Sequence, residues 1–405
     1  MSLQPSHWAM AALRRFKPIV PVGKSWPALM LLFRHADVVE VLRREEDFSV
    51  ALGGQKMRST IGAFFLGMGD TPQYKRERTA MDRAVHPDDL GRVRRFASAL
   101  SSQIVEQAIK DKGEVDLVAD LCNVVVPRFV NDYFGIREPS EGSLLTWFKI
   151  ASYYVFGIDL LVGPRFYIPA ARAGETIARH MTSEIEQRRA ALQSGAQVPD
   201  DILTRLLRIR AESKDGIDTD AIRRIMTGSM SGTLIPTSWL AVVTLQTLLG
   251  QPKRILEKAR RAAQIGDDAT VRQYVIEAAR FHPFPPVIYR YTERDTVIAA
   301  GTPRERTVPV GTQVLCVMGS AALDPSVVPS PGRFQAGRPE EQYMLFGYGH
   351  HLCLGKDIAE ALLTEMAKPL LQLDLERPIP KLQMGPKGRV IDGYYPAHLV
   401  VRPRS

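Results

Sequence analysis

Cysteine is scarce in this chain: 405 residues carry three, Cys122, Cys316 and Cys353. Three thiols make no disulfide framework, so packing must hold the fold, and a reducing, cytoplasmic setting is the expectation. Long apolar runs are also missing. Charges, glycines or prolines interrupt each of them before the ~20 residues that span a bilayer, so no transmembrane anchor is expected. Met1–Pro18 has aromatic and basic residues but neither the apolar core nor the cleavage site of a signal peptide, and the first ~20 residues read as an extension. No Gly/Ser run, repeat or single-sign charge block marks a linker. One domain over residues 1–405 is therefore expected, although length alone suggests two or three. The net charge is +9, but the basic residues are scattered without interleaved aromatics. Nucleic acid is therefore not the expected partner, and a solvated basic surface or an acidic protein remains.

What the chain does have is a glycine-rich loop around its third cysteine, Phe346-Gly347-Tyr348-Gly349-His350-His351-Leu352-Cys353-Leu354-Gly355. Tyr343–Phe346 is a short apolar run. Lys356–Lys368 carries apolar residues at Ile358, Ala359, Leu362, Leu363 and Met366 and reads as a helix. Cys353 thus precedes a helix start, where unpaired N–H groups and the positive end of the dipole favour a thiolate. Gly349 and Gly355 allow a tight turn and close approach to a flat ligand. A thiolate so held suits a haem iron, to which it pushes electron density, favouring O–O cleavage. A small buried cysteine without a ligand is the plainer alternative. Cys122 and Cys316 lie in apolar runs and read as inert core.

The ten residues fit Phe-x-x-Gly-x-His-x-Cys-x-Gly and resemble the signature of the cytochrome P450 family. The resemblance extends over roughly residues 24–402. It implies a mainly α fold with small β-sheets, the cytochrome P450 fold, and haem b (iron protoporphyrin IX) as cofactor. Cys353 would be the axial ligand of the iron, in a cofactor loop with Phe346, Gly347 and Gly355. Asp70–Arg78 starts a helix, with Asp or Thr as cap and Pro72 in the first turn. It resembles the family's Asp-x-Pro-x-His-x-x-x-Arg element, with Arg78 in place and Tyr74 where histidine is usual. The resemblance implies propionate binding by His351, Arg290 and Arg78, with Tyr74 offering a hydrogen bond but no charge. Glu277-Ala278-Ala279-Arg280 resembles the family's structural Glu-x-x-Arg pair, whose further partner would be Arg333 or Arg338. Lys75, Arg76, Arg83 and Lys356 would lie where an acidic ferredoxin or flavodoxin docks.

The remaining elements follow from pattern. Trp26–Phe33 reads as a strand, His35–Arg44 as a helix, and Ala51–Gly69 as a loop with room for a helical turn, which in the family roofs the pocket. Residues 91–250 read as mainly helical, with Pro127 inside one helix and a polar loop at Ser194–Asp200. Val271–Phe281 reads as a helix, followed by an extended proline-rich run in which His282 is a turn residue. Residues 296–318 read as small strands, Ala321–Arg338 resembles the family's meander, and Lys381–Arg402 reads as a hairpin with Tyr394 and Tyr395 near its turn.

Asp220–Leu249 reads as one long apolar helix, where the family's central helix crosses the haem. Oxygen-activating members carry Ala/Gly-Gly-x-Asp/Glu-Thr-Thr/Ser there. This chain has Ser231-Gly232-Thr233-Leu234-Ile235-Pro236-Thr237. Leu234 and Ile235 replace the acid and the alcohol and cannot relay protons. Thr233 and Thr237 are the nearby hydroxyls, and Pro236 is expected to kink the helix. Close helix packing is the competing use of the glycines. Two catalytic readings follow: a monooxygenase of atypical distal helix, or a peroxygenase or hydroperoxide isomerase/lyase that needs no external electrons. A haem-binding protein without turnover is a third. Met226, Met230, Leu234, Phe284, Val287 and Ile288 suggest a small apolar or amphipathic organic substrate.

Overall fold

The computed structural model describes residues 7–17, 19–22, 28–156, 166–212, 216–384 and 390–404. Its chain packs as two compact units, one of residues 1–49, 94–125 and 238–405, the other of residues 50–93 and 126–237. All three sheets belong to the first unit. The largest has five strands, in the order Ile19–Val22, Leu29–Leu32, Gln313–Cys316, Ile288–Thr292 and Phe48–Ser49. Leu29–Leu32 pairs in parallel with Gln313–Cys316 and the other ladders are antiparallel. Helix His35–Arg43 covers this sheet, burying Val38, Val41 and Leu42 with Leu32, Phe48 and Met344. The Asp324 carboxylate accepts the His35 N–H at 2.9 Å, satisfying a donor at that helix's start. The same unit holds helices Lys253–Gln264, Asp268–Arg280 and Lys356–Gln372.

In the second unit the described residues form helices and turns. Pro72–Ala84, Leu144–Val155, Tyr167–Gln193 and Ile202–Glu212 are its principal helices. A buried charge cluster ties it together. Arg205 donates to Asp89 at 2.7 and 3.0 Å and to Asp200 at 2.7 and 2.9 Å, and the Tyr133 hydroxyl donates to Asp89 at 2.9 Å. Burial alone would raise the Asp89 pKa, but these bonds hold it below the usual carboxylate range.

Thr219–Leu249 is a single helix of 31 residues that runs continuously through Pro236. By length and composition it is the one helix among the described residues able to cross a membrane, yet 67% of its most apolar window is buried inside the protein. It packs as a core helix. The Ala51–Gly69 region is more helical than a loop with one turn, since Ala51–Arg58 is a helix and Phe65–Gly67 is a short 3₁₀ turn. Gly54 explains the missing periodicity: a Cβ there would stand 2.0 Å from the Gly67 carbonyl oxygen, so contact rather than apolar pattern decides that residue. The C-terminal hairpin is present as Ile379–Met384 and Val390–Val401, but the side chains of Tyr394 and Tyr395 lie outside the described residues, as does Trp26.

Candidate haem-thiolate site

The cysteine loop is closed by its own backbone. Gly347 and Gly349 take φ of 73° and 70°, a region open to glycine at little cost. The Leu352 N–H donates to the Gly349 carbonyl at 3.1 Å, and the Cys353 N–H to the Phe346 carbonyl at 2.9 Å. A Cβ on Gly349 would lie 2.8 Å from the Leu42 carbonyl oxygen, so this glycine lets the loop settle on helix His35–Arg43. Gly355 caps Lys356–Gln372, and a Cβ there would meet nothing within 4 Å. Cys353 is half-buried beside that opening, whereas Cys122 and Cys316 are fully buried. Burial pushes the Cys316 thiol up to about 12 and the Cys122 thiol up as well, so neither suits a thiolate role.

Two polar groups near the loop are buried with bonds unmade. Arg290, on strand Ile288–Thr292, is 5% exposed. Its Nη1 donates to the Tyr289 carbonyl at 3.1 Å, while its Nε has no partner. Burial lowers its pKa, as expected for a guanidinium without a bonded carboxylate. His351 holds Glu45 Oε2 through Nε2 at 2.8 Å and leaves Nδ1 buried and unpartnered. A buried cation in this state calls for an anion.

Behind the loop stands a frame built on Glu277. Arg280 donates to it at 2.7 and 2.9 Å, Arg338 at 3.3 Å and the Gln335 N–H at 2.9 Å. Glu277 and Arg280 are both 0% exposed. Arg338, rather than Arg333, completes the pair, and Arg333 contributes its carbonyl as an acceptor for Arg338 at 3.0 Å.

In the second unit, Tyr74 is buried with its ring edge-on to Phe65, and Arg78 is half-buried and donates to Asp82 at 3.0 and 3.1 Å. On the long helix, Met226, Met230 and Leu234 are fully buried, and Thr237 is 6% exposed. Gly232 is exposed in the middle of this largely buried helix, with Thr233, Ile235 and Pro236 half-buried. The Thr233 hydroxyl donates back to the Ser229 carbonyl at 2.8 Å. Phe284, Val287 and Ile288, in the first unit, are half-buried, and Phe284 packs on Trp239 with ring centroids 5.1 Å apart.

A family model described as Cytochrome P450 matches residues 4–373. The chain belongs to the cytochrome P450 family. The family is one of haem-binding oxidoreductases. A bifunctional dioxygenase–epoxy alcohol synthase of Fusarium oxysporum is 25% identical to this P450 over 82% of the chain and 28% of its own length. The chain spans about a third of the length of the fungal oxygenases it matches. Cyclomarin C epoxidase CymV of Salinispora arenicola is 22% identical, covering 81% of this chain and 79% of its own. The fold matches the crystal structure of CYP109B1 from Bacillus subtilis with a TM-score of 0.78 at 19% identity, over 99% of this chain and 100% of that one.

The residues of this P450 fit a haem. Cys353 precedes a helix start beside open space at Gly355, and the first unit supplies a buried guanidinium nitrogen, Arg290 Nε, and an imidazole nitrogen, His351 Nδ1, that have no partner and suit a carboxylate. Of the cations expected to dock an acidic donor, Lys75 pairs with Asp70 at 3.0 Å, Arg83 with Glu212 at 2.9 Å, and Lys356 with Glu340; Arg76 is exposed. Sequence reading missed Glu45, because its contact with His351 joins residues 306 apart.

The two glycines of the long helix divide the uses open to them. A Cβ on Gly228 would fall 2.1 Å from ring carbons of Phe64, while one on Gly232 would meet nothing within 4 Å. Gly228→Ala is expected to cost about 1–3 kcal/mol through overpacking. Gly232→Ala is expected to leave stability unchanged or raise it by up to about 1 kcal/mol through helix propensity. Thermal melts of the two variants check this, and equal losses would overturn it.

Proposed function

We propose that this P450, with haem b held by Cys353, rearranges an unsaturated lipid hydroperoxide and needs no external electrons. The observation that carries the reading is the central helix. The positions of acid and alcohol hold Leu234, fully buried, and Ile235, and the neighbouring Thr233 hydroxyl spends its proton on the Ser229 carbonyl. This wall relays no protons to dioxygen, and a hydroperoxide asks for none. Its O–O bond and its proton are already in place. An epoxy alcohol is an isomer of such a hydroperoxide: the O–O bond breaks, one oxygen closes an epoxide and the other ends as a hydroxyl. Atoms, protons and electrons balance within the substrate. The haem supplies the O–O cleavage, favoured by the thiolate. The chain's own residues orient the substrate and keep water away. Pro236 has no N–H, so the Gly232 carbonyl lacks its usual helical donor. Gly232 lies at an exposed position of the helix, and its carbonyl is left as a hydrogen-bond acceptor. Phe284, Val287 and Ile288 offer apolar contact to the chain of the substrate, and the fully buried Met226 and Met230 back the helix. The naming of the Fusarium relative as an epoxy alcohol synthase supports the same reading.

A second reading, monooxygenation of a small apolar or amphipathic molecule, is favoured by the similarity to an epoxidase. It requires an acidic ferredoxin or flavodoxin and a proton path through water or substrate. The test is turnover of a lipid hydroperoxide panel by ferric protein without reductant, against turnover of the parent lipids with NADPH, a surrogate reductase, ferredoxin and dioxygen. Isomeric products that keep both hydroperoxide oxygens are expected without reductant. Ile235→Thr should change that rate by no more than about threefold, well below the ~10²–10⁴ of a working proton relay. Product formed only with the electron chain would overturn the proposal in favour of monooxygenation.

A further inference from the structure

Glu45 stands where the fold would be expected to avoid a carboxylate. It follows helix His35–Arg43, which Gly349 lets approach the cysteine loop closely. Its Oε2 lies 2.8 Å from His351 Nε2. Its Oε1 is buried and has no partner. The adjacent Arg44 is committed elsewhere, to Glu40 and Asp47, and Arg294 reaches Asp47 and Glu46. The charge of Glu45 also acts on the buried Arg290. A carboxylate beside two groups suited to haem carboxylates repels those carboxylates, so its presence needs an offsetting use.

The geometry supplies one. An ionised carboxylate only accepts, so Nε2 of His351 carries a proton and its ring is fixed from that side. Nδ1 is then the polar atom left over, buried and without a partner; toward a haem carboxylate it has to donate, so with the haem bound the ring would stand between two carboxylates and donate from both nitrogens. An imidazole fixed through one nitrogen by a carboxylate presents the other in one orientation, as histidines held by a second group do around metals. We propose that Glu45 is a positioning residue of the haem site, holding the His351 ring so that Nδ1 faces the haem carboxylate. This rests on haem binding alone and is independent of whether the oxidant is a hydroperoxide or dioxygen.

The experiment is haem transfer from the loaded protein to an excess of apomyoglobin, followed by absorbance. Glu45→Ala should lose haem about tenfold faster, the lower end of the cost of removing such a supporting partner. Glu45→Gln should stay within about twofold of the parent, because its amide oxygen still accepts from Nε2. In a His351→Ala background, Glu45→Ala should add nothing. An unchanged rate in Glu45→Ala, or the same acceleration with and without His351, overturns the proposal. If Glu45→Ala does not fold, Glu45→Gln keeps the test open through spectroelectrochemistry. Removing a negative charge near the haem favours reduction, so the midpoint potential should rise. A potential equal to the parent's overturns the placement of Glu45 beside the haem.

Discussion

Cys353→Ser is expected to abolish turnover and to remove the red-shifted absorbance of a thiolate-ligated ferrous carbonyl adduct. A serine hydroxyl at the same helix start is far less acidic than a thiol, so the electron donation that favours O–O cleavage goes with the sulfur. No other thiol can take its place, since Cys122 and Cys316 are fully buried and burial holds both protonated. The fold should survive, because Cys353 is half-buried and the loop is closed by backbone bonds and by positive-φ glycines. The reduced carbonyl spectrum together with a thermal melt checks both halves. A variant that kept the red-shifted band would show that another group ligates the iron.

The second large effect lies at Glu277. Its carboxylate takes three donors beyond its own backbone, two arginines and the Gln335 N–H, with Glu277 and Arg280 0% exposed. Removing one partner of a buried pair costs about 3–5 kcal/mol, because a charge is left without compensation. Glu277→Ala strands two arginines, so the upper end applies. Against a total stability of about 5–15 kcal/mol, that is enough to leave much of the chain unfolded or without haem. Arg338→Ala should cost less, since Arg280 continues to hold Glu277 from two sides. Chemical denaturation of the three proteins, with haem content, measures the order. A Glu277→Ala protein as stable as the parent would remove the frame from the account.

These two sites were the legible part of the sequence, and for a common reason. Cys353 lies within ten residues that carry their own turn chemistry, and Glu277 and Arg280 share a helix face. The long helix was visible as well, expected over Asp220–Leu249 and found over Thr219–Leu249, because burial of most of its surface leaves a nearly continuous apolar signal. The helix expected over Lys356–Lys368 is longer in the structure. The helix continues to Gln372 past Pro369, where burial of Leu370 and Leu371 offsets the lost backbone bond. What stayed hidden depends on distant contacts. Spacing did not separate Arg338 from Arg333, the Ala51–Arg58 helix follows a glycine contact, and Glu45 meets His351 across most of the chain.

The parallel pairing of Leu29–Leu32 with Gln313–Cys316 bears on how the protein is made. Partners roughly 280 residues apart meet only after the ribosome has supplied the second strand. At about 5–20 residues per second, the first apolar strand waits about 15–60 s for that neighbour. Throughout that time Leu29, Met30, Leu31 and Leu32 offer an edge to other nascent chains. Yield in the cell should therefore respond to chaperone supply and growth temperature more than to the stability of the finished fold.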